Sequence, residues 1–188
     1  MKFVTVPLIL AALAAGNGRP AMADDIHDAL DQADSAYSSG DYGRAKKAAD
    51  LASVLLGQLV AEQLAKALPG PLDGWTAEEA WSDAAGTTML GGGVQAERGY
   101  SDAEGRQVRI QVVADSPIVA QFAGLYGNPA IAASMGKLVP IGDRQAVLND
   151  QQEIQMLVAS RFLVTVSGDA PEAAKLKYAA GIELSQLK

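Results

Sequence analysis

The fold is decided by residues 94–114, which read VQAERGYSDAEGRQVRIQVVA. Val108, Ile110 and Val112 alternate with other residues, and this period of two predicts a strand with one buried face. Residues 94–100 alternate in the same way, and the segment 102–105 supplies turn residues between the two strands. The sequence therefore predicts a β-hairpin, and an antiparallel sheet around it.

The segments on both sides of this hairpin extend the pattern. Further strands are predicted at 75–81, 137–141, 145–148, 153–158 and 162–166. Residues 87–93 end in three glycines, which predicts a flexible or tightly turned backbone. A helix is predicted over 118–135, because Asp115-Ser116-Pro117 places a polar capping residue before a proline. Asn128-Pro129 is the point at which this helix could break. A last helix is predicted from Pro171 to about residue 182. Two helices covering one face of a mainly antiparallel sheet make an α+β domain.

Residues 26–68 are predicted to form a helical hairpin around the turn Ser38-Ser39-Gly40-Asp41. Residues recurring at spacings of three and four are expected to share one face of each helix. Those assigned to this face are Ile26, Leu30, Ala33, Tyr37, Tyr42, Ala45, Ala49, Ala52, Leu55, Leu56 and Leu59. Two helices joined by a turn of this length pack antiparallel.

Part of this hairpin resembles a tetratricopeptide repeat. The matching residues are Ala33, Tyr37, the turn Gly40-Asp41-Tyr42, Ala45 and Ala52. The tryptophan and the proline usual in that repeat are absent, and there is one copy, whereas about three are needed to bury a continuous core. A peptide-binding groove is therefore not implied. We favour a plain Ala-rich hairpin that docks on the domain or on another subunit.

The N-terminus has the three parts of a secretory signal peptide. Lys2 precedes the uncharged apolar run 3–15, and the polar segment that follows ends in Ala21-Met22-Ala23. The run is shorter than the ~20 residues of a membrane span, so we predict cleavage after Ala23 and a periplasmic protein. The predicted organisation is a signal peptide at 1–23, a helical hairpin at 24–68, a Pro/Gly linker at 69–74 and an α+β domain at 75–188.

Composition argues against several classes of function. The chain has 22 Asp and Glu against 15 Lys and Arg, a formal net charge of −7, so nucleic-acid binding is not expected. It has no cysteine and one histidine, His27, whereas zinc and copper sites usually use several such ligands. No metal, cofactor or membrane span is predicted. Without a Gly-x-Ser-x-Gly elbow or a second histidine, no catalytic residue is assigned.

A family resemblance covers most of the mature chain. It is carried by Gly74-Trp75, by the junction Ala114-Asp115-Ser116-Pro117, by residues 137–142 and by the closing hairpin and helix. These stretches resemble the exported PsbP-like fold, and more closely small periplasmic proteins of Gram-negative bacteria. The motifs are structural turns, so they bear on fold more than on function. The resemblance implies an accessory or binding protein.

The candidate binding residues are aromatic. Trp75 and Trp81 flank a short polar stretch at the domain entrance, and with Tyr126 they could line a shallow groove. The competing interpretation, which we favour, is that the two tryptophans pack at the edge of the sheet or against the linker and have a structural role. Two polar residues are given structural roles: Asp115 is predicted to cap the helix after it, and Arg161 to lie in water at a hairpin tip.

The sequence is compatible with three functions. The first is a non-catalytic periplasmic accessory protein that binds another envelope protein or complex. The second is a carrier of a small apolar molecule or lipid, in a pocket between sheet and helices opened by the Gly- and Ala-rich segment 122–135. The third is an enzyme with an unfamiliar site, which would need polar groups converging in a cleft. We favour the first.

Overall fold

A computed structural model describes residues 19–84, 92–126 and 128–183 of the chain. By its internal contacts the chain divides into two compact units, Met1–Ala52 and Ser53–Lys188. Residues 1–18, most of the predicted signal peptide, lie outside the described residues. So do residues 85–91, which include most of the glycine-rich segment 87–93.

The first unit is a helical hairpin. Helix α1 spans Arg19–Ser38, and helix α2 spans Tyr42–Ala67, beginning in this unit and continuing into the second. Gly40 has the left-handed φ of +79° that the turn between them requires. Asp41 Oδ1 accepts a hydrogen bond from the backbone N–H of Arg44 at 3.0 Å, which satisfies one of the free donors at the start of α2.

Burial in the hairpin is concentrated on small side chains. The buried residues described in this unit are Ile26, Ala29, Ala36, Ala48 and Ala52. Leu30, Tyr37 and Tyr42, which the periodicity assigns to the inner face, are 47%, 67% and 69% exposed. The predicted face is therefore wrong at these three positions, and also at Leu56 further along α2, which is 45% exposed. Alanines at the buried positions let two helix backbones approach closely, so the larger side chains lie outside.

The second unit is built on one sheet of eight strands. The strands are β1 (Trp75–Ala77), β2 (Trp81–Asp83), β3 (Val94–Asp102), β4 (Gln107–Ala114), β5 (Lys137–Ile141), β6 (Arg144–Leu148), β7 (Ile154–Val158) and β8 (Phe162–Ser167). Their order is β1-β3-β4-β8-β7-β6-β5, with β2 also paired to β3, so β1 and β2 are two pieces of one edge. All pairs are antiparallel. The predicted α+β class, with its hairpin and antiparallel sheet, is confirmed.

Three further helices belong to this unit: α3 (Pro117–Tyr126), α4 (Pro129–Met135) and α5 (Glu172–Ala180). The chain leaves β4 through α3 and α4, reaches the far edge at β5, and returns as a meander whose last strand pairs with β4. The break between α3 and α4 follows from Asn128, whose Oδ1 accepts a hydrogen bond from Ala130 N at 3.0 Å. Because Asn128 precedes a proline, its backbone disfavours continuation of α3. Its side-chain cap then starts α4.

Strand register assigns each side chain to one of two faces. The inner face, which packs against the end of α2 and against α5, carries the main core. Its central members are Ala61, Leu64, Tyr100, Val108, Ile110, Val112, Ile154, Met156, Val164, Val166, Tyr178 and Ala179. The alternation that predicts the β3–β4 hairpin places Val108, Ile110 and Val112 here, as expected.

The outer face is covered by α3 and α4. Tyr126 of α3 bonds to Gln155, which alternates with the inner-face residues Ile154 and Met156. The helices therefore cover both faces of the sheet, and the expectation that they share one face is wrong. The physical reason is that outer-face positions of the central strands are apolar too, including Leu163, and a sheet that is apolar on both sides needs cover on both.

The predicted linker at 69–74 is held against the inner face. The Tyr100 hydroxyl donates to the Pro69 carbonyl at 2.8 Å, and the Leu72 N–H donates to the Tyr178 hydroxyl at 3.2 Å. Burial raises the pKa of the Tyr100 hydroxyl, so it remains a neutral donor. The two compact units divide earlier in the chain, within α2.

Lys175 of α5 is a buried cation, with 2% of its surface exposed. Its Nζ donates to the backbone carbonyl of Gln152, in the β6–β7 turn, and to that of Gly168, after β8, at 3.2 Å. Buried charge is costly unless hydrogen-bonded, and these carbonyls supply the bonds. The ammonium thereby ties two loops to α5.

Candidate functional site

The predicted aromatic residues lie in three different places. Trp75 lies in β1, with its ring edge-on to Tyr178 at a centroid distance of 5.4 Å. Trp81 lies in β2, 52% exposed and paired with Glu97 of β3, which faces the outer side of the sheet. Tyr126 ends α3 and donates a hydrogen bond to Gln155 Oε1 at 3.1 Å.

These positions do not bring the three residues into one groove. Trp75 lines a cleft of about 390 Å³ beside α5, together with Leu72 and Lys177. Tyr126 lines a separate cleft, and Trp81 is on the opposite face of the sheet from Trp75. The contact of Trp75 with Tyr178 is the packing role that the sequence favoured for this residue.

The cleft that contains Tyr126 lies between the two outer-face helices and strands β5 to β7, and we name it the α3–α4 cleft. Its volume is about 350 Å³, within the range usual for small-molecule sites. The lining residues are Ala123, Tyr126, Ala132, Leu138, Arg144, Gln145, Ala146, Val147, Leu157, Ala159 and Ser160. It lies where the sequence predicts a pocket opened by residues 122–135.

Small side chains account for the space in the cleft. Ala123 and Ala132 face it from α3 and α4, where larger residues would fill it. At the end of α4, Gly136 lies so close to the backbone of Leu148 that a Cβ would collide with that carbonyl oxygen. The glycine therefore lets α4 pass directly into β5 and fixes the helix over the outer face.

The polar groups of the cleft suit binding. Its lining offers the hydroxyls of Tyr126 and Ser160, the amide of Gln145 and one charged residue, Arg144. Burial raises the pKa of the Tyr126 hydroxyl, so it is neutral at physiological pH. The hydroxyls and the amide can orient a ligand by hydrogen bonds. Arg144 pairs with Ile141 of the inner-face core, so the strand register assigns its side chain to the other face.

One end of the cleft is formed by strained backbone. Ala159 and Ser160, in the β7–β8 turn, have φ of 51° and 53°, a region that non-glycine residues rarely occupy. Asp115, at the corner between β4 and α3, has φ of 55°. Each such residue costs on the order of 1 kcal/mol and persists only where the surroundings hold it.

An ion pair holds this corner. Arg161 donates through Nε to Asp115 Oδ1 and through Nη2 to Oδ2, each at 2.7 Å. The hydrogen bonds from Arg161 hold the pKa of Asp115 below its usual value. The cap of α3 is instead Ser116, whose Oγ accepts from Ile118 N at 3.3 Å, so the capping role predicted for Asp115 is wrong. The strained φ turns its carboxylate toward Arg161.

A second candidate site lies on the hairpin. Tyr37 and Tyr42 flank the turn with ring centroids 6.0 Å apart, and they line an open groove of about 510 Å³. We name it the tyrosine groove; its other lining residues are Ala33, Asp34, Ala45, Lys46 and Ala49. Sequence periodicity missed it because it assigns both tyrosines to the interior. The available signal is their place beside a Gly turn, at the end of a hairpin.

No protein-family model matches this chain, and no curated protein or solved structure matches it either. Across residues 19–84, 92–126 and 128–183, no three His, Cys, Asp or Glu side chains gather in a way that could hold a metal ion. In the same ranges no helix combines the length and the apolar character needed to cross a membrane. The α3–α4 cleft and the tyrosine groove are therefore the two surfaces from which a function can be inferred.

Proposed function

We propose that this protein is a non-catalytic accessory protein of the bacterial envelope, and that the tyrosine groove binds another envelope protein. The observation that supports this is the exposure of Tyr37 and Tyr42 side by side on a hairpin whose buried surface is alanine. Tyrosine is enriched among the residues that dominate binding energy at protein interfaces. The PsbP-like resemblance points in the same direction.

The charges around the groove favour one kind of partner. Asp34 of helix α1 is the acidic residue of the groove lining; the same helix also carries Asp24, Asp25, Asp28 and Asp31, of which Asp28 and Asp31 line a different cleft. Lys46, on the other side of the groove, pairs with Asp50 at 2.6 Å. An amphipathic helix with an apolar stripe and a basic flank matches this surface, and helix-in-groove binding is a recurrent mode of recognition.

The test is crosslinking in intact envelopes. A photoreactive amino acid at Ala45, in the groove, is expected to give one dominant adduct, and the double variant Tyr37→Ala/Tyr42→Ala is expected to abolish it. Because both tyrosines are exposed, the melting temperature should change little. Leu51→Ala, an exposed apolar residue of the same helix that is not in the groove lining, serves as the control.

The interface should also depend on charge. Raising the salt concentration from 0.05 to 0.5 M shortens the Debye length. If the partner presents a basic surface, the yield of the crosslinked adduct should therefore fall. An adduct that survives the double tyrosine substitution at the wild-type level would refute binding through the groove.

The second candidate function is carriage of a small apolar molecule. The specific observation in its favour is the α3–α4 cleft, which is lined largely by aliphatic side chains and lies between sheet and helices. Native mass spectrometry of protein purified without detergent tests it, since a carrier should retain a bound molecule. Release of that molecule by Ala123→Phe, which fills the cleft, would tie it to this site.

A further inference from the structure

We propose that the ligand of the α3–α4 cleft is an uncharged amphiphile, with its apolar body against the outer face of the sheet and its head group hydrogen-bonded to the Gln145 amide. A fatty alcohol or a primary amide has this chemistry, whereas a carboxylate or an ammonium does not. The proposal rests on the second candidate function and is independent of the tyrosine groove.

The sheet supplies uncharged side chains to the floor of the cleft. Leu138 of β5 pairs with Val147 of β6, and both alternate along their strands with residues of the inner-face core. Gln145, two positions before Val147, and Leu157, which lies between two core residues of β7, therefore also face the outer side. All four line the cleft, and three of them give an apolar ligand an aliphatic surface to pack against.

The cations of the neighbouring strands face the other side of the sheet. Arg144 pairs with Ile141, and Lys137 pairs with Leu148; both partners belong to the inner-face core. The Lys137 Nζ accordingly lies 3.5 Å from Glu172 Oε1 of α5, the helix on the inner face. The strand register therefore directs neither positive charge into the cleft.

The helices that cover the cleft are uncharged throughout. Residues 116–136 include α3 and α4 and contain no Asp, Glu, Lys, Arg or His, in a chain of which 20% is charged. Ala123, Tyr126 and Ala132 line the cleft from these helices. An ionised head group would lose its hydration here without meeting an opposite charge, which makes burial of either sign unfavourable. The cleft therefore favours a neutral ligand.

The hydrogen-bonding groups of the cleft show where the head group binds. The Tyr126 hydroxyl already donates to Gln155 Oε1 at 3.1 Å. The Gln145 amide, on an exposed residue, has no hydrogen-bond partner in the part of the chain that the structure describes. A carboxamide offers two donors and an acceptor, so it can bind a hydroxyl or an amide of the ligand. Continuing the β6–β7 register places Gln145 opposite Leu157, three residues before Ser160, so the head group is expected at the end of the cleft beside the β7–β8 turn.

The experiment is calorimetric titration of the purified full chain with octan-1-ol, octanoate and octylammonium at neutral pH, the two ions below their micelle concentrations. The three probes share one alkyl chain, so only the head group differs. Octan-1-ol should bind one to one, and each ion at least ~10-fold more weakly, because neither meets an opposite charge in the cleft.

A matched pair of variants tests the position of the head group. Gln145→Met, which keeps the length of the side chain, should reduce the affinity for octan-1-ol about 5-fold through the loss of one hydrogen bond. Gln111→Met, which removes an outer-face amide of β4 that is not in the cleft lining, should leave it unchanged. Nuclear Overhauser effects from the alkyl protons to the methyl groups of Val147 and Leu157 locate the chain without any substitution.

The possible failures are distinguishable. An ion that binds as tightly as octan-1-ol would overturn the neutral ligand and leave the carrier function standing, and full affinity in a folded Gln145→Met would overturn the position of the head group. If none of the three probes binds saturably, the carrier function fails together with the proposal. Tyr37→Ala/Tyr42→Ala should bind octan-1-ol as the wild type does, because those residues line a different site.

Discussion

Asp115 and Arg161 are joined by two hydrogen bonds of 2.7 Å across a sequence separation of 46 residues. Asp115 lies at the corner where β4 leads into α3, and Arg161 follows the turn that forms one end of the α3–α4 cleft. The pair therefore joins the helix that covers the cleft to the strand turn beneath it.

Replacing Asp115 with Asn should lower the free energy of unfolding by about 1 kcal/mol. Asn tolerates the left-handed φ at this position, so the change removes charge without new backbone strain. The loss is small because the side chains of Asp115 and Arg161 are 44% and 34% exposed, so water screens their charges. Urea unfolding of Asp115→Asn, Arg161→Gln and the double variant gives the coupling energy. If the two single losses simply add, the pair contributes nothing.

The same pair should make stability depend on acid pH. The hydrogen bonds from Arg161, opposed by burial and aided by charge attraction, hold the pKa of Asp115 below its unfolded value. Its stabilisation is therefore fully present above the unfolded pKa of ~3.9 and is lost as pH falls through the folded pKa. Melting temperatures of wild type and Asp115→Asn should converge as pH falls from 5 to 2.5. A constant difference would exclude this carboxylate as the titrating group.

The β7–β8 turn should be stabilised by Asn-Gly. Val158 pairs with Phe162, so three residues connect the strands, and the Arg161 N–H donates to the Val158 carbonyl across a β-turn. The two central residues of that turn, Ala159 and Ser160, both have positive φ, a conformation for which Asn and Gly are favoured. Ala159→Asn/Ser160→Gly should raise the free energy of unfolding by about 1 kcal/mol. Ala103→Gly, in the β3–β4 turn at a residue without positive φ, is the control and should lower it slightly. Thermal unfolding measures both.

Replacing Lys175 with Met should destabilise the protein by about 2 kcal/mol, because the carbonyls of Gln152 and Gly168 lose a charged donor while remaining buried. Lys177→Met, on the exposed side of the same helix, should change stability by less than about 0.5 kcal/mol. Chemical denaturation of the two variants makes the comparison. Equal effects would mean that the buried bonds contribute no more than surface charge.

The position of the domain boundary can be tested with two fragments. A fragment that starts at Ser53 keeps the part of α2 whose Ala61, Leu64 and Ala67 belong to the inner-face core. One that starts at Gly70, at the predicted linker, lacks them. Because Leu64 is fully buried, we expect the Gly70 fragment to be less stable by several kcal/mol or to aggregate. Equal melting temperatures would favour the boundary at 69–74 over one within α2.

Much of the local structure was predictable because its causes are local. The alternation at residues 107–114 sets a strand whichever strand it pairs with, and Asn128-Pro129 ends a helix by its own backbone chemistry. Glycine at position 40 turns the hairpin for the same reason. The candidate site was predictable only in part: the segment 122–135 indicated a pocket, but Trp75 and Trp81 lie elsewhere.

The sequence by itself determined the order of strand and helix segments, and hence the α+β class, although the strand predicted at 75–81 is two short strands, β1 and β2. Only the tertiary structure decided that β8 returns to β4, that helices cover both faces, and that Tyr37 and Tyr42 lie outside the hairpin. It alone paired Asp115 with Arg161. Propensity and periodicity act over a few residues. Strand pairing and burial depend on segments far apart in the chain, which meet only when the strands of the sheet pair in register.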